Sequence, residues 1–282
     1  MAVDEAIRAR PAVPLRGLVA WYTGYRQQGV PVAQHRGLPS PFLTLILTLD
    51  DPLTIVSHPD PKDPPGDYRT LLGGLHTTPA LISVPGRQSG VQIALSPLGC
   101  RALLGLPAGE LAGADIPADV VFGSGLAEVH DRLRAARDWT RRFDVIDDWL
   151  LARLRRGTAR TPAPEVRQAW GMLLDSGGTI GVADLAAEVG WSDRHLRNRL
   201  TLETGLTPKA AARVIRFGRA RQRLVGGDTF ADIAADCGYF DQAHLDREFR
   251  SLAGSAPSRW LAEEFRNIQS GHHEPGSGWN HD

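Results

Sequence analysis

The sequence predicts an α+β protein: a small N-terminal β-rich barrel or sandwich with two following helices, then an all-α C-terminal domain. Three observations predict it. Between Leu15 and about Leu106 the chain reads as short strand-like runs broken by Gly and Pro. After Leu106 the apolar residues recur every three to four positions, as on one face of a helix. In the second half, one octapeptide pattern recurs after 48 residues.

Composition sets the outer bounds. A chain of 282 residues is long enough for two domains at about 100–200 residues each. With 42% hydrophobic residues it can bury a sizeable core, and with 30 Gly and 20 Pro it stays below the level of low-complexity disorder. Lys+Arg and Asp+Glu balance at 32 each, so no global field points to a nucleic-acid or membrane partner. Cys100 and Cys237 are the two cysteines, which suits a reduced compartment better than a disulfide framework. The first residues lack the apolar core of a secretory signal, and the longest apolar run, Pro41–Leu49, is half of what a membrane span needs. The expectation is a cytoplasmic bacterial protein with no membrane partner.

Taken in order, Leu43–Leu49 alternates Leu and Ile with Thr, the pattern of a half-buried strand. Leu53–Ser57, Leu71–His76, Leu81–Val84 and Gly90–Leu95 are further strand candidates. The insert His58–Gly66 carries four prolines and cannot be regular structure. Leu126, Val129, Leu133 and Ala136 mark one amphipathic helix, and Phe143, Ile146, Leu150 and Leu154 a second, with a break near Asp138–Arg142. Trp139 and Trp149 exceed a single apolar stripe, so a homodimer through residues 126–155 is expected. Arg156–Pro164 reads as a linker and residues 165–269 as nearly all helix. Residues 270–282 have too little apolar content to fold and read as a disordered tail. The domains expected are therefore 1–155 and 165–269.

The repeat is the informative feature. Asp184-Leu-Ala-Ala-Glu-Val-Gly-Trp191 matches Asp232-Ile-Ala-Ala-Asp-Cys-Gly-Tyr239, offset by 48, and His195–Leu200 matches His244–Phe249, offset by 49. The second copy therefore has one extra residue in its turn. Each copy holds the parts of a helix-turn-helix: a short apolar face, a glycine suited to the left-handed turn, and a capping Ser192 or Asp193, or Asp241 in the second copy. Leu196 and Leu200 face inward and Arg194, Arg197 and Asn198 outward, at the end that enters a DNA major groove. The outward set of the second copy is Gln242, Asp246 and Arg247. Between them Thr207-Pro208 opens a linker helix of about 26 Å, compatible with recognition helices in successive major grooves about 34 Å apart.

On these residues, Gln168–Phe265 resembles the DNA-binding domain of AraC/XylS-type transcription regulators. The match is carried by Leu185-Ala186, Gly190-Trp191-Ser192, Leu196, Gly205-Leu-Thr-Pro208 and Arg216-Phe-Gly-Arg219-Ala220. It continues through Ile233-Ala234, Cys237-Gly238-Tyr239, Asp241-Gln242, Leu245, Phe249-Arg250, Gly254 and Pro257. The resemblance implies two helix-turn-helix units joined by a linker helix. It departs at Tyr239 and Trp260, where the family usually carries Phe and Tyr. His35–Ser40 and Gly90–Gly105 look like an actinobacterial subgroup of such regulators. The N-terminal part then corresponds to a sensor half, which in the family's best-known form is a cupin-like barrel followed by helices.

Local charge separates the two units. Residues 190–227 hold nine basic and two acidic side chains, net +7, whereas 228–269 hold four arginines against eight acids, net −4. The first unit and linker helix are expected to supply most of the phosphate affinity. Base contacts are expected from Arg194, Arg197, Asn198, Gln242, Asp246 and Arg247. Phosphate contacts are expected from Ser192, Lys209, Arg213 and Arg250. The plainer reading of each is a solvated helix face, and the repeat outweighs it. Arg216 and Arg219 are expected to pair with acids, and Cys237 to be a small core residue. His35 and Arg36, in a turn before the central strand, are weak effector candidates. No metal site, cofactor or catalytic residue is expected: there is no P-loop, CxxC, HExxH or GxSxG.

The leading functional expectation is a cytoplasmic, nucleoid-associated regulator that binds double-stranded promoter DNA as a homodimer and responds to a small-molecule effector. The alternative is a regulator whose N-terminal half only dimerises or docks a protein such as RNA polymerase. An enzyme comes third: DNA-repair methyltransferases can share this helix-turn-helix type, but they need a reactive cysteine near zinc ligands, which two isolated cysteines cannot provide.

Overall fold

The computed structural model describes residues 2–157 and 161–269. The chain opens with β1 (Val3–Ala9), β2 (Val19–Gln28), β3 (Ala33–Gly37), β4 (Leu43–Thr48) and β5 (Leu53–Ser57). Short strands β6 (Gly66–Tyr68), β7 (Thr70–Gly73) and β8 (Ala80–Val84) lead to the long β9 (Arg87–Leu95). Helix α1 (Cys100–Leu104), a 3-10 turn at Ala108–Leu111, β10 (Asp115–Pro117) and α2 (Asp119–Phe122) then precede α3 (Gly125–Ala135) and α4 (Trp139–Arg156).

The strands form two antiparallel sheets, ordered β1-β2-β9-β4-β7-β10 and β3-β8-β5-β6. Both sheets end in unpaired edges among the described residues. Of the two forms expected, barrel or sandwich, the domain is a two-sheet sandwich with no closed barrel among the described residues. β4 lies inside the larger sheet, between β9 and β7. Its Leu43, Leu45 and Leu47 join the main core, and Ile46 points the other way to Leu53, Ile55 and Leu71 of the inter-sheet core. The strand expected to be half-buried is buried on both faces, because a helical layer covers one side and a second sheet the other.

β1 was not expected: Asp4, Glu5 and Arg8 break its apolar pattern, as suits an edge strand with two mostly exposed faces. β7 stops at Gly73, short of the expected His76. Gly74 approaches the Leu111 carbonyl so closely that no side chain fits, and the chain leaves the sheet there. His35 and Arg36 lie within β3, paired with Ile82 and Leu81, and not in a turn. In the proline-rich insert, His58 is buried, its Nδ1 2.9 Å from Asp115 Oδ2.

The two amphipathic helices cover the large sheet. Asp138 caps α4 by accepting from the Arg141 N–H at 2.8 Å. Trp139 sits where Gly24 of β2 leaves room for its ring. Phe143 stacks on Tyr22 at 5.9 Å, Trp149 meets Phe122 at 4.8 Å, and the Tyr22 hydroxyl donates to Asp147 at 2.8 Å. Both tryptophans are less than 10% exposed, so the aromatic surface behind the expected dimer seam is used up within the protomer.

The C-terminal part is helical: α5 (Pro164–Asp175), α6 (Val182–Glu188), α7 (Asp193–Thr204), α8 (Pro208–Val225), α9 (Phe230–Asp236), α10 (Gln242–Ala253) and α11 (Pro257–Gln269). Its buried residues are continuous with those of the sheet and of α4. The aromatic replacements Tyr239 and Trp260 are buried, Trp260 tilted on Phe249 at 5.6 Å. The expected tail 270–282 and residues 158–160 of the expected linker lie outside the described residues. No described helix is long and apolar enough to cross a membrane.

Candidate nucleic-acid interface

The two repeats fold into two helix pairs of the same design. In the first, α6 ends before Gly190, whose φ of 70° makes the turn. The Ser192 hydroxyl then accepts from the His195 N–H at 3.3 Å and opens α7. In the second, Gly238 turns at φ 72° and the Asp241 carboxylate accepts from the His244 N–H at 2.6 Å. Leu196 and Leu200 on α7, and Leu245 and Phe249 on α10, are buried, which fixes the opposite faces outward. Trp191 meets His195 edge-on at 4.6 Å and Tyr239 meets His244 edge-on at 5.4 Å, so the aromatic plug is repeated as well.

Between the pairs, α8 starts where the Thr207 hydroxyl accepts from the Ala210 N–H at 3.2 Å. Cys237 is fully buried, and burial raises its thiol pKa despite Arg219 and Arg223 nearby.

Arg194, Arg197 and Asn198 are exposed on α7, and Gln242 and Arg247 on α10. Lys209 is exposed on the first turn of α8. Among the described residues no acid pairs with Arg194, Arg197 or Lys209. The expected phosphate contact Arg213 is placed otherwise. Its Nε donates to Glu248 at 2.7 Å and its Nη2 to Ser251 at 3.3 Å, tying α8 to α10. Arg216 reaches the same carboxylate at 3.2 Å and lies over the Tyr239 ring. Asp246 is half-buried and pairs at 3.8 Å with Arg250, one turn on, so two expected DNA contacts neutralise each other. The Ser192 hydroxyl serves as a cap, with its side chain exposed.

A second feature escaped sequence reasoning. The N-terminal domain grips the C-terminal end of α7. Arg101 of α1 donates twice to Glu203, at 2.7 and 2.9 Å, and the Glu203 side chain is 3% exposed. A Cβ at Gly109 would meet the Leu202 carbonyl and lie 2.6 Å from the Thr201 carbonyl; one at Gly205 would lie 2.7 Å from Ala112 Cβ. Near the second unit the domains touch more lightly, through Pro79 beside Gly254 and an ion pair from Arg36 to Glu263. Burial raises the Glu263 pKa, but hydrogen bonds from Arg259 and Arg36 outweigh it and leave the net shift downward. Arg36 is thus engaged with the other domain, which removes it as a free effector contact; His35 is half-buried in β3.

Two capped helix pairs on one linker helix define the class, and comparison with known proteins agrees. Residues 185–263 match a helix-turn-helix domain family (HTH_18), and the C-terminal part of the chain is an AraC-type helix-turn-helix domain. Residues 7–117 match a domain of unknown function, DUF6597. The chain is 33% identical over 66 residues to the uncharacterized HTH-type transcriptional regulator YbfI of Bacillus subtilis (strain 168), a match covering 23% of this chain and 24% of that protein. The chain thus spans about a quarter of the length of the curated relative it matches. Over 86% of its length it resembles ToxT from Vibrio cholerae, at 15% identity, TM-score 0.50 and 97% coverage of that structure. ToxT of strain O395 bound to (E)-4-(8-methylnaphthalen-1-yl)but-3-enoic acid gives 14% identity, TM-score 0.50 and coverage of 86% and 98%. At these identities the likeness is one of fold.

Proposed function

We propose that the chain is a sequence-specific DNA-binding transcription regulator that sets α7 and α10 into successive major grooves. One observation carries the proposal: two capped, repeated helix pairs leave Arg194, Arg197 and Asn198, and then Gln242 and Arg247, outward on their second helices. Arginine and asparagine make bidentate contacts to guanine and adenine edges, and Gln242 offers the same amide chemistry. Lys209 is the phosphate anchor of this arrangement. Selection of the full chain on duplexes with a randomised core tests it. Enrichment of a bipartite motif with half-sites one helical turn apart is expected, and enrichment of a single compact site refutes the two-groove form.

The N-terminal domain in this proposal senses an anionic effector. A cavity of about 640 Å³ between α1 and the end of α4 is lined by Arg101, Arg153 and Arg156. Burial and the neighbouring Arg156 both lower the Arg153 pKa, so a bound anion would relieve the site. The acid bound by the ToxT structure supports the same class of ligand. A carboxylate there competes with Glu203 for Arg101 and so loosens the grip on α7. Thermal shift of the full chain with a panel of small carboxylic acids checks this; no shift with any of them favours a docking module instead. The expected homodimer and RNA polymerase contact gain no support from the described surfaces.

A further inference from the structure

The most exposed large apolar side chain among the described residues is Phe240, at 93%. Val32 follows at 78% and the others are lower. Phe240 immediately precedes the cap of α10. An apolar residue there normally folds back on the fourth helical residue and fixes the entry of the chain. That residue is Leu245, which is 1% exposed, and Phe240 lies in water instead. The plug in this unit is Tyr239, 5% exposed against the His244 ring, as Trp191 meets His195 in the first unit.

Aligning plug to plug and cap to cap identifies the extra residue of the second copy. Trp191 is followed directly by the cap Ser192, whereas Tyr239 and the cap Asp241 are separated by Phe240. The insertion is also held in place. The Phe240 N–H donates to His244 Nδ1 at 3.2 Å, and Asp241 caps the helix in the next position. An aromatic ring is therefore carried on a fixed backbone at the tip of α10, beside the exposed Gln242.

The charges of this unit define what the ring meets. Arg213 and Arg216 of α8 are engaged by Glu248, and Arg250 by Asp246, which leaves Arg247 as the arginine of α10 without an acid partner among the described residues. A phenyl ring has no use for a phosphate or a polar base edge. The major groove offers one apolar feature, the C5-methyl of thymine.

We propose that Phe240 reads a thymine methyl group in the major groove entered by α10. The inference rests on the DNA-binding function proposed above and adds a base identity to it. The test uses the full chain and its Phe240→Ala and Phe240→Leu variants on the duplex selected by the wild type. Each thymine of the α10 half-site is replaced in turn by deoxyuridine, which lacks only the methyl. At one position deoxyuridine should weaken wild-type binding about fourfold, the worth of burying one methyl-sized group. It should leave Phe240→Ala unchanged and affect Phe240→Leu to an intermediate degree. The ring is in water, so all three proteins should melt at the same temperature. Equal deoxyuridine sensitivity of wild type and Phe240→Ala overturns the proposal, as does insensitivity of the wild type at every thymine; a ring that docks a protein gives the second result. A selection that enriches no sequence at all instead overturns the DNA-binding function on which this rests.

Discussion

The two helix-turn-helix units share a backbone plan and differ in how their second helices are held. Helix α7 keeps Arg194 and Arg197 exposed while its far end is clamped by the other domain through Arg101 and Gly109. Helix α10 is held by its own linker, through Glu248 between Arg213 and Arg216, and meets the N-terminal domain only lightly. The difference teaches that a count of charges along the sequence misjudges a charged surface. Of the nine basic residues in the net +7 stretch, Arg213, Arg216 and Arg223 are tied to acids of the neighbouring stretch. The first unit is thus coupled to the N-terminal domain, and the second is held mainly by its own linker helix.

The largest expected effect breaks the clamp. Arg101→Ala leaves the buried Glu203 carboxylate at the domain boundary without its bidentate partner, which costs about 3 kcal/mol of stability. Urea unfolding of the full chain measures it, and a loss below about 0.5 kcal/mol would show that the grip on α7 is not there. Gly109→Ala attacks the same contact without touching charge. The added methyl drives into the carbonyls of Thr201 and Leu202, and the backbone must separate at a cost of about 1–3 kcal/mol. Gly113→Ala serves as a contrast. Nothing lies near an added methyl there, but its φ of 71° strains any side chain, so it destabilises without loosening α7.

Next in size is the base reading proposed for α7. Arg197→Ala should weaken specific binding by about 1–3 kcal/mol and relax preference at one base step. An unchanged profile across all single-base variants of the selected site would remove Arg197 from the groove. Salt dependence then separates free cations from engaged ones. Lys209→Ala should reduce the slope of log affinity against log salt by about one, and Arg213→Ala should leave it nearly unchanged while loosening α10 on α8. Equal slopes for the two variants would mean that Glu248 does not hold Arg213 in solution.

What was legible in the sequence follows the range of the forces involved. The two units were readable because their signals are local: Gly190 before Ser192, Leu196 and Leu200 one turn apart, Thr207 before Pro208. The helices over the sheet were readable from period alone. The strand β1 was not, because edge strands need no apolar face and Asp4, Glu5 and Arg8 interrupt the alternation. The clamp was illegible for a stronger reason. Arg101 and Glu203 are 102 residues apart, and neither carries a motif that asks for the other. Phe240 stands between: the insertion was visible as a one-residue change in repeat offset, but its exposure was not.

The smallest effect sharpens the comparison on the second helix. Asp246 was expected to stand on the reading face near Arg247, and it pairs instead with Arg250 at 3.8 Å along the helix. An exposed pair of this spacing contributes only about 0.3–0.5 kcal/mol to stability, so Asp246→Asn should leave the melting temperature nearly unchanged. Its effect belongs to binding. Losing the carboxylate frees Arg250 and removes one negative charge from the surface proposed to face DNA, so affinity for scrambled DNA should rise and its salt slope steepen by up to one. An acid on this face can accept from a cytosine amino group and oppose most other base edges, so discrimination at the α10 half-site should fall at the same time. Titrating operator and scrambled duplexes at two salt concentrations, with wild type and variant, separates these outcomes. A uniform loss on both DNAs would place Asp246 among the structural residues of α10. No change on either would mean that Arg250 keeps away from the phosphates whether or not it has a partner.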